Sequence, residues 1–513
     1  MKSALKEINS RFLIRFRFFA VSILTVILLA PGTGHAQSSL EGRVKEYRLK
    51  NGLHLLVLQR NGAPTFAAYV RFLVGGVDEQ AGHSGVAHIL EHMLFKGSKR
   101  IGTSDWKKEK PLMDEVDTLG SAYDAEKLKG AKADPQKLAE LKAKLNQAME
   151  AQRKYIREDE ISEIYQKNGG QGFNAFTAQD TTTYLIKLPS NRFELWAWLE
   201  ADRLNEPVLR EYYAERDVIM EERRRSVSNS PEGTLYENFL AAAFTASPYH
   251  TPIIGWASDI DYMPLDTVQR FLKTYYSPNN MVVCIVGDLD PEYVYKTIDR
   301  YFAPIPPQVI PPRNTTVEPP QIGERRVTVR FNAQPQAIIG FHKPVRVGNI
   351  DYVFDVIDYI LTHGRTSRFY KSLVLEKGIA TSVSGWEGPG RRYPNLYMLQ
   401  AIPREPHTTA ELETAIYAEL DRLKTVPLTK EEMEKVINNV EVSYLRGLQS
   451  NSGIAYYMSE YAIIEGDWRE MIRYVDNIRK VTPDDVMAVA KKYLTPENRT
   501  VATLVPAKKE AAQ

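Results

Sequence analysis

Gly82-His-Ser-Gly-Val-Ala-His88-Ile-Leu-Glu91-His92-Met-Leu-Phe-Lys-Gly97 is the stretch on which the rest of the chain turns. A helix advances about 100° per residue, so His88 and His92 stack one turn apart and Glu91 lies beside them. Two imidazoles and a carboxylate on one face form the minimal set for holding a zinc ion, its water and a base. Val86, Ile89, Leu90, Met93 and Leu94 fall at the i, i+3, i+4, i+7, i+8 spacing of a core-facing stripe, roughly opposite the polar trio. Ser84 occupies the expected N-cap, with Gly85 just inside the helix start.

A catalytic zinc usually takes three protein ligands and keeps one position for water, so a third ligand must come from elsewhere. Cysteine is excluded, because the single one, Cys284, lies in the apolar, strand-like run Met281-Val-Val-Cys-Ile-Val286. The segment from Glu211 to Arg225 reads as a charged helix. Within it Glu215 and Glu222 are two turns apart on one face, together with Val218 and Ile219, whereas Glu221 sides with Asp217 and Arg224. A carboxylate facing inward among aliphatic side chains is costly unless a cation or hydrogen-bond donors satisfy it. Glu222 is therefore the expected third ligand, and Glu215 the carboxylate that accepts the free N–H of a ligand imidazole.

The order H-x-x-E-H, then Asn174-Ala-Phe-Thr177, then E-x6-E resembles the pitrilysin and insulinase metallopeptidases. The strings Leu199-Glu-Ala-Asp-Arg203 and Val286-Gly-Asp-Leu-Asp290 are similar to that family too, and the likeness runs from about residue 43 to about residue 506. It implies one zinc per chain on His88, His92 and Glu222, with Glu91 as general base in peptide hydrolysis. It also implies an edge strand that pairs with substrate, which makes Asn174, Ala175 and Phe176 candidates for main-chain recognition. The implied architecture is α+β: two similar, duplicated half-domains of antiparallel sheet plus helices, enclosing a chamber.

Five basic residues within positions 2–17 precede an apolar or small run, Phe18 to Ala30, and then Pro31-Gly-Thr-Gly-His-Ala36. The run is shorter than the roughly 20 residues that span a bilayer, so residues 1–36 read as a cleaved signal peptide and the mature chain as exported, to a periplasm or beyond, without a stable membrane anchor. Removing five basic residues and the acidic Glu7 moves the formal charge from +2 to −2, leaving no broad basic field for nucleic acid. One cysteine allows no internal disulfide, so stability must come from packing.

Thr267–Val283 and Asp485–Val501 share one layout, a helix stopped by a Ser/Thr-Pro turn and followed by a strand. A proline-rich stretch over 304–322 separates them and reads as an extended linker, giving halves at 43–303 and 323–506 and a tail at 507–513. Positions 104–166 read as an inserted helical hairpin, with Leu112, Val116, Leu119 and Tyr123 on one arm and Leu138, Leu141, Leu145 and Met149 on the other. It is expected to be a solvated hairpin; partner docking or gating is the alternative. The second half has no H-x-x-E-H and should hold no zinc. Active members of the resembled family carry an Arg-x6-Tyr pair that stabilises the developing oxyanion; beside Gly378-Ile-Ala-Thr381 the matching positions here hold Val374 and Thr381. The expectation is that a partner subunit, or a second copy in a homodimer, brings that pair. Arg365, Arg368 or Tyr370 could serve instead, and an idle binding or assembly subunit is the competing class.

Overall fold

The computed structural model describes residues 40–507. The expected signal peptide, residues 1–36, and all but the first residue of the expected tail lie outside the described residues. Among those described, eleven strands form two sheets. The first contains β1 (Val44–Arg48), β2 (His54–Gln59), β3 (Thr65–Phe72), β4 (Gln171–Thr177), β5 (Thr182–Pro189) and β6 (Met281–Gly287), in the order β1-β2-β6-β3-β5-β4. The second contains β7 (Arg325–Arg330), β8 (Gln336–Lys343), β9 (Ala380–Gly388), β10 (Asn395–Pro403) and β11 (Arg499–Val505), in the order β7-β11-β8-β10-β9. Apart from β1 the two orders superimpose, so β4 and β9 are equivalent edge strands. Neither sheet is wholly antiparallel: β2 with β6, and β7 with β11, are parallel pairs at equivalent places. A strand reached by a long crossover can run parallel to its neighbour, whereas a hairpin cannot supply one.

Each half places helices on its sheet. The first has α1 (Val86–Met93), α2 (Trp106–Lys127), α3 (Pro135–Arg153), α4 (Glu160–Lys167), α5 (Tyr212–Arg223), α6 (Pro231–Ala243) and α7 (Leu265–Tyr275) among its helices. The second has α8 (Ile350–Thr362), α9 (Lys430–Gly447), α10 (Asn451–Ile464) and α11 (Pro483–Tyr493). The duplicated layout extends to single hydrogen bonds. Asn280 donates to Tyr275 O, closing α7, and to Leu73 O; Asn498 donates to Tyr493 O, closing α11, and to His342 O.

The halves exchange helices. α6 leaves the first half to lie on β7, β11 and β8, and α10 leaves the second to lie on β3 and β6. Leu235, Phe239, Leu240 and Ala243 of α6 share a core with Ile338, Met398, Ala502 and Leu504. That approach requires a glycine at 340, where a Cβ would meet the Phe239 ring at 2.4 Å. In return Arg71 on β3, fully buried, pairs with Glu460 of α10. Each sheet is thus covered on both faces, which is why β6 is buried along its whole length and reads Met-Val-Val-Cys-Ile-Val-Gly.

The insert is α2 and α3 packed antiparallel, capped by Asp105 on Lys108 N and by Asp134 on Gln136 N. It is less solvated than its composition suggests. Val116, Gly120 and Asp124 of α2 and Leu145 and Ala148 of α3 are buried, and α2 lies against α5.

Candidate metal centre

α1 buries Val86, Ala87, Ile89, Leu90 and Met93 and turns His88 and His92 to its other side. Its N-cap is Gly85 at φ 89°, one residue later than the sequence suggests. The Ser84 hydroxyl is engaged elsewhere, donating to Asp259 at 2.6 Å and accepting from Trp256 N at 2.8 Å. Glu79 takes over the capping role by accepting from Gly85 N and Ala87 N, both at 2.9 Å. A side chain at 85 would put its Cβ 2.6 Å from Ile254 O, so glycine is required there for space as well as for φ.

α5 crosses α1 and brings Glu215 and Glu222 to the histidines. Glu222 Oε1 lies 3.8 Å from His88 Nε2 and its Oε2 lies 3.5 Å from His92 Nε2. Donor atoms of the three residues all fall within 4.8 Å of one another. Ligand atoms at ~2.1 Å from a tetrahedral zinc are about 3.4 Å apart, so the donor set suits the ion and the two Glu222 distances are near that spacing, with the side chains drawing together by up to about an ångström to close on it. His92 Nδ1 donates to Glu215 Oε1 at 2.9 Å, which leaves Nε2 facing Glu222 as the ring's ligating atom; burial lowers the His92 pKa, but Glu215 and then Glu222 outweigh it and raise it, so a bound cation takes the place of the Nε2 proton. Of the two aliphatic residues expected on this face, Ile219 is buried but Val218 is 52% exposed. The two flank the Glu215–Glu222 line by about 50° on opposite sides, and only the Ile219 side is covered.

Electrostatics match that arrangement. Burial, and then its neighbour His92, lower His88 to about 4, keeping the ring neutral and able to ligate. Burial works against ionisation of Glu215, but hydrogen bonds from His92 and from Lys96, at 2.6 Å, outweigh it and hold the carboxyl near 2. Glu91 is 8% exposed, and burial raises its pKa against the hydrogen bond donated by Thr177 Oγ1 at 2.6 Å.

Thr177 ends β4, the outer strand of the sheet, which pairs with β5 on one side only. Asn174, Ala175 and Phe176 stand on that strand opposite Leu185, Tyr184 and Thr183, with the other edge open. Asn174 also lines a cavity of about 400 Å³ together with Glu91, His92, Phe95 and Lys96, walled on its far side by Ile156 to Ile161.

The profile described as "Insulinase (Peptidase family M16)" matches residues 55–126 and 116–256, and the one described as "Peptidase M16 inactive domain" matches residues 262–440. The chain belongs to the pitrilysin/insulinase family, M16. Among relatives of this M16 protein, "Zinc protease PqqE" of Helicobacter pylori is 25% identical over 495 residues, covering 95% of this chain and 98% of that protein. An uncharacterized zinc protease of Streptomyces coelicolor is 23% identical over 88% of each chain. A crystal structure of a protease from H. pylori superposes with a TM-score of 0.76 at 24% identity, over 90% of this chain and 99% of that one. The periplasmic protease PqqL of Escherichia coli gives 0.66 at 15% identity, and there 90% of this chain spans 47% of the other. The H. pylori structure shares this two-half α+β fold along nearly its whole length, and PqqL along about half of its length.

Three neighbours of the site escaped sequence reasoning. Thr177 ends the Asn-Ala-Phe-Thr motif, and its hold on Glu91 spans 86 positions of sequence with no local mark. Lys96, one turn beyond His92 on the same face, could have been found by spacing. Glu79 could not, since nothing local separates its side chain from the other acids of its loop.

Proposed function

We propose that this chain is an exported zinc endopeptidase that hydrolyses unfolded peptides. The observation carrying this reading is the convergence of His88, His92 and Glu222 within 4.8 Å, with Glu91 bonded to the end of an open edge strand. Zinc held by those three side chains would supply a water acidified toward pKa 7 and a Lewis acid for the peptide carbonyl. Glu91, with Oε2 held by Thr177, takes the proton of the attacking water and delivers it to the departing amine. Glu215 keeps the His92 ring oriented. Asn174 to Phe176 offer main-chain groups to an extended peptide, so recognition is by backbone pairing with side-chain selection left to the flanking cavities. Location in a periplasm is supported by the N-terminal pattern and by the description of PqqL.

Transition-state charge needs a donor that this chain does not bring at the expected place. Val374 packs into the core of the second half, and Thr381 Oγ1 donates to Ile402 O across the β9–β10 pair. Arg368, one of the nearby alternatives, is engaged with Glu432 at 2.9 Å. The half-length match to PqqL favours completion by a second chain, a partner or another copy, carrying the Arg/Tyr pair. The test is cleavage of an internally quenched, unfolded peptide by zinc-loaded residues 37–513, with Glu91→Gln as control. Turnover that falls by about 10²–10⁴ in the variant, with zinc retained, supports the reading; measurable and equal turnover in both proteins removes Glu91 as the base, and silence in both with zinc bound means that the lone chain is not the complete enzyme.

A further inference from the structure

α5 carries the candidate third ligand, and it is gripped on its opposite side by the insert. Arg216 of α5, its side chain 6% exposed, donates two hydrogen bonds to Asp124 of α2, at 2.7 and 2.8 Å, and a third to Met263 O. Tyr213, one turn earlier, lies over Gly120 so closely that a Cβ there would stand 2.1 Å from the ring. Arg210, immediately before α5, pairs with Glu109 of α2 in a contact where both side chains are at most 1% exposed. The same guanidinium donates to the carbonyls of Lys96, Ser98 and Ile101, in the loop that leaves α1. Positions 210, 213 and 216 follow one helical stripe, while 215, 219 and 222 follow the one that meets α1.

We infer that the inserted hairpin is a positioning element of the metal centre: Asp124 and Glu109 of α2, acting on Arg216 and Arg210, fix the axial position of α5 and so the reach of Glu222 to the ion. This rests on the zinc reading above. A side chain that only decorates a solvated hairpin would not be bidentate and buried. Two charged pairs removed from water are specific in geometry because an ill-fitting alternative leaves a charge unpaired. Groups hydrogen-bonded to a metal ligand typically cost 10–100-fold in metal affinity when removed, and a clamp that acts through the helix carrying the ligand is expected at the lower end of that range.

The test is zinc affinity of the apo chain, residues 37–513, by competition with a chromogenic chelator. Asp124→Asn should weaken binding tenfold or more. Because that change strands a buried guanidinium, the deciding variant is the double Asp124→Leu/Arg216→Met, which removes the charges and fills their volume. Tenfold weaker zinc in a double variant with wild-type circular dichroism and thermal midpoint supports the inference. Wild-type affinity in that variant overturns it. Should the double variant prove unfolded, Gly120→Ala, which pushes Tyr213 away, gives the same readout. Glu222→Gln runs alongside: if it too keeps wild-type affinity, the failure belongs to the ligand assignment, whereas loss in Glu222→Gln alone isolates the clamp as the error.

Discussion

The two halves build the same polar face twice and furnish it differently. In the first, α1 follows β3 and presents His88, Glu91 and His92, with α5 bringing Glu215 and Glu222 across from it. In the second, α8 follows β8 and presents Asp351, Asp355, Asp358 and Tyr359, with α9 bringing Val440, Ser443 and Tyr444 into a cavity of about 470 Å³. There the carboxylates are answered internally. Asp351 and Glu387 share Lys343, Asp355 accepts from Tyr474 at 3.0 Å, and Asp358 accepts from Thr362 and Tyr397. Among the described residues only His88, His92 and Glu222 converge with metal-ligand spacing. The scaffold therefore does not decide the chemistry. On the zinc reading, two imidazoles and one opposed carboxylate would, since nitrogen donors suit zinc where oxygen clusters suit harder cations.

The comparison breaks most readily at the metal. His88→Ala and Glu222→Gln should each abolish stoichiometric zinc, measured by elemental analysis after gel filtration. Asp355→Asn combined with Asp358→Asn should leave one zinc per chain. Loss of metal in the second-half variant would mean that the second cavity is the real site.

Much of this contrast was legible in the sequence. The H-x-x-E-H helix declared itself because its apolar and polar residues obey one period, and Glu222 because seven residues return a helix to the same face. The repeated helix–Pro–strand layout exposed the duplication, and the hydrogen bonds of Asn280 and Asn498 then carry it to single residues. The illegible parts all depend on distant chain. Ser84 has every local mark of a cap and fails as one because Asp259, 175 residues away, claims its hydroxyl. The hairpin looked solvated because three of its eight buried residues are acidic, and two of them, Glu109 and Asp124, find their cations in Arg210 and Arg216, from distant chain. The exchange of α6 and α10 between sheets has no local signature, since a helix that covers its own sheet needs the same apolar stripe.

That exchange is locked where the halves meet beside Glu91. Asp180, in the turn between β4 and β5, is 5% exposed and accepts from Arg391 N, Arg392 N and, at 2.7 Å, Tyr249 OH. Arg392 also pairs with Asp78 at 2.9 Å. Asp180→Ala strands three donors, so it should cost about 3 kcal/mol in denaturant unfolding. Because the same turn leads into Thr177, kcat should fall more than KM rises. A stability loss with unchanged kcat would show that the halves are joined there without influence on Glu91.

The second cavity yields the smallest expected effect and tests whether its acids are the counterpart of a metal site or merely packing. Burial, and then the charge of Glu387, lift Asp355 to about 8 from its ordinary 3.8. A carboxyl raised on folding contributes stability that is fully present below pH 3.8 and is lost as pH climbs through 8, because ionisation is easier in the unfolded chain. Asn at this position cannot ionise, so wild type loses stability across that window and Asp355→Asn does not. The thermal midpoint of the variant relative to wild type should therefore rise between pH 5 and pH 8, by a few degrees at about 1 °C per kcal/mol for a chain of this size. A difference that stays flat across the window would mean that Lys343 and Arg391 already hold Asp355 ionised, and that the second half has compensated its carboxylates as fully as zinc would compensate those of the first.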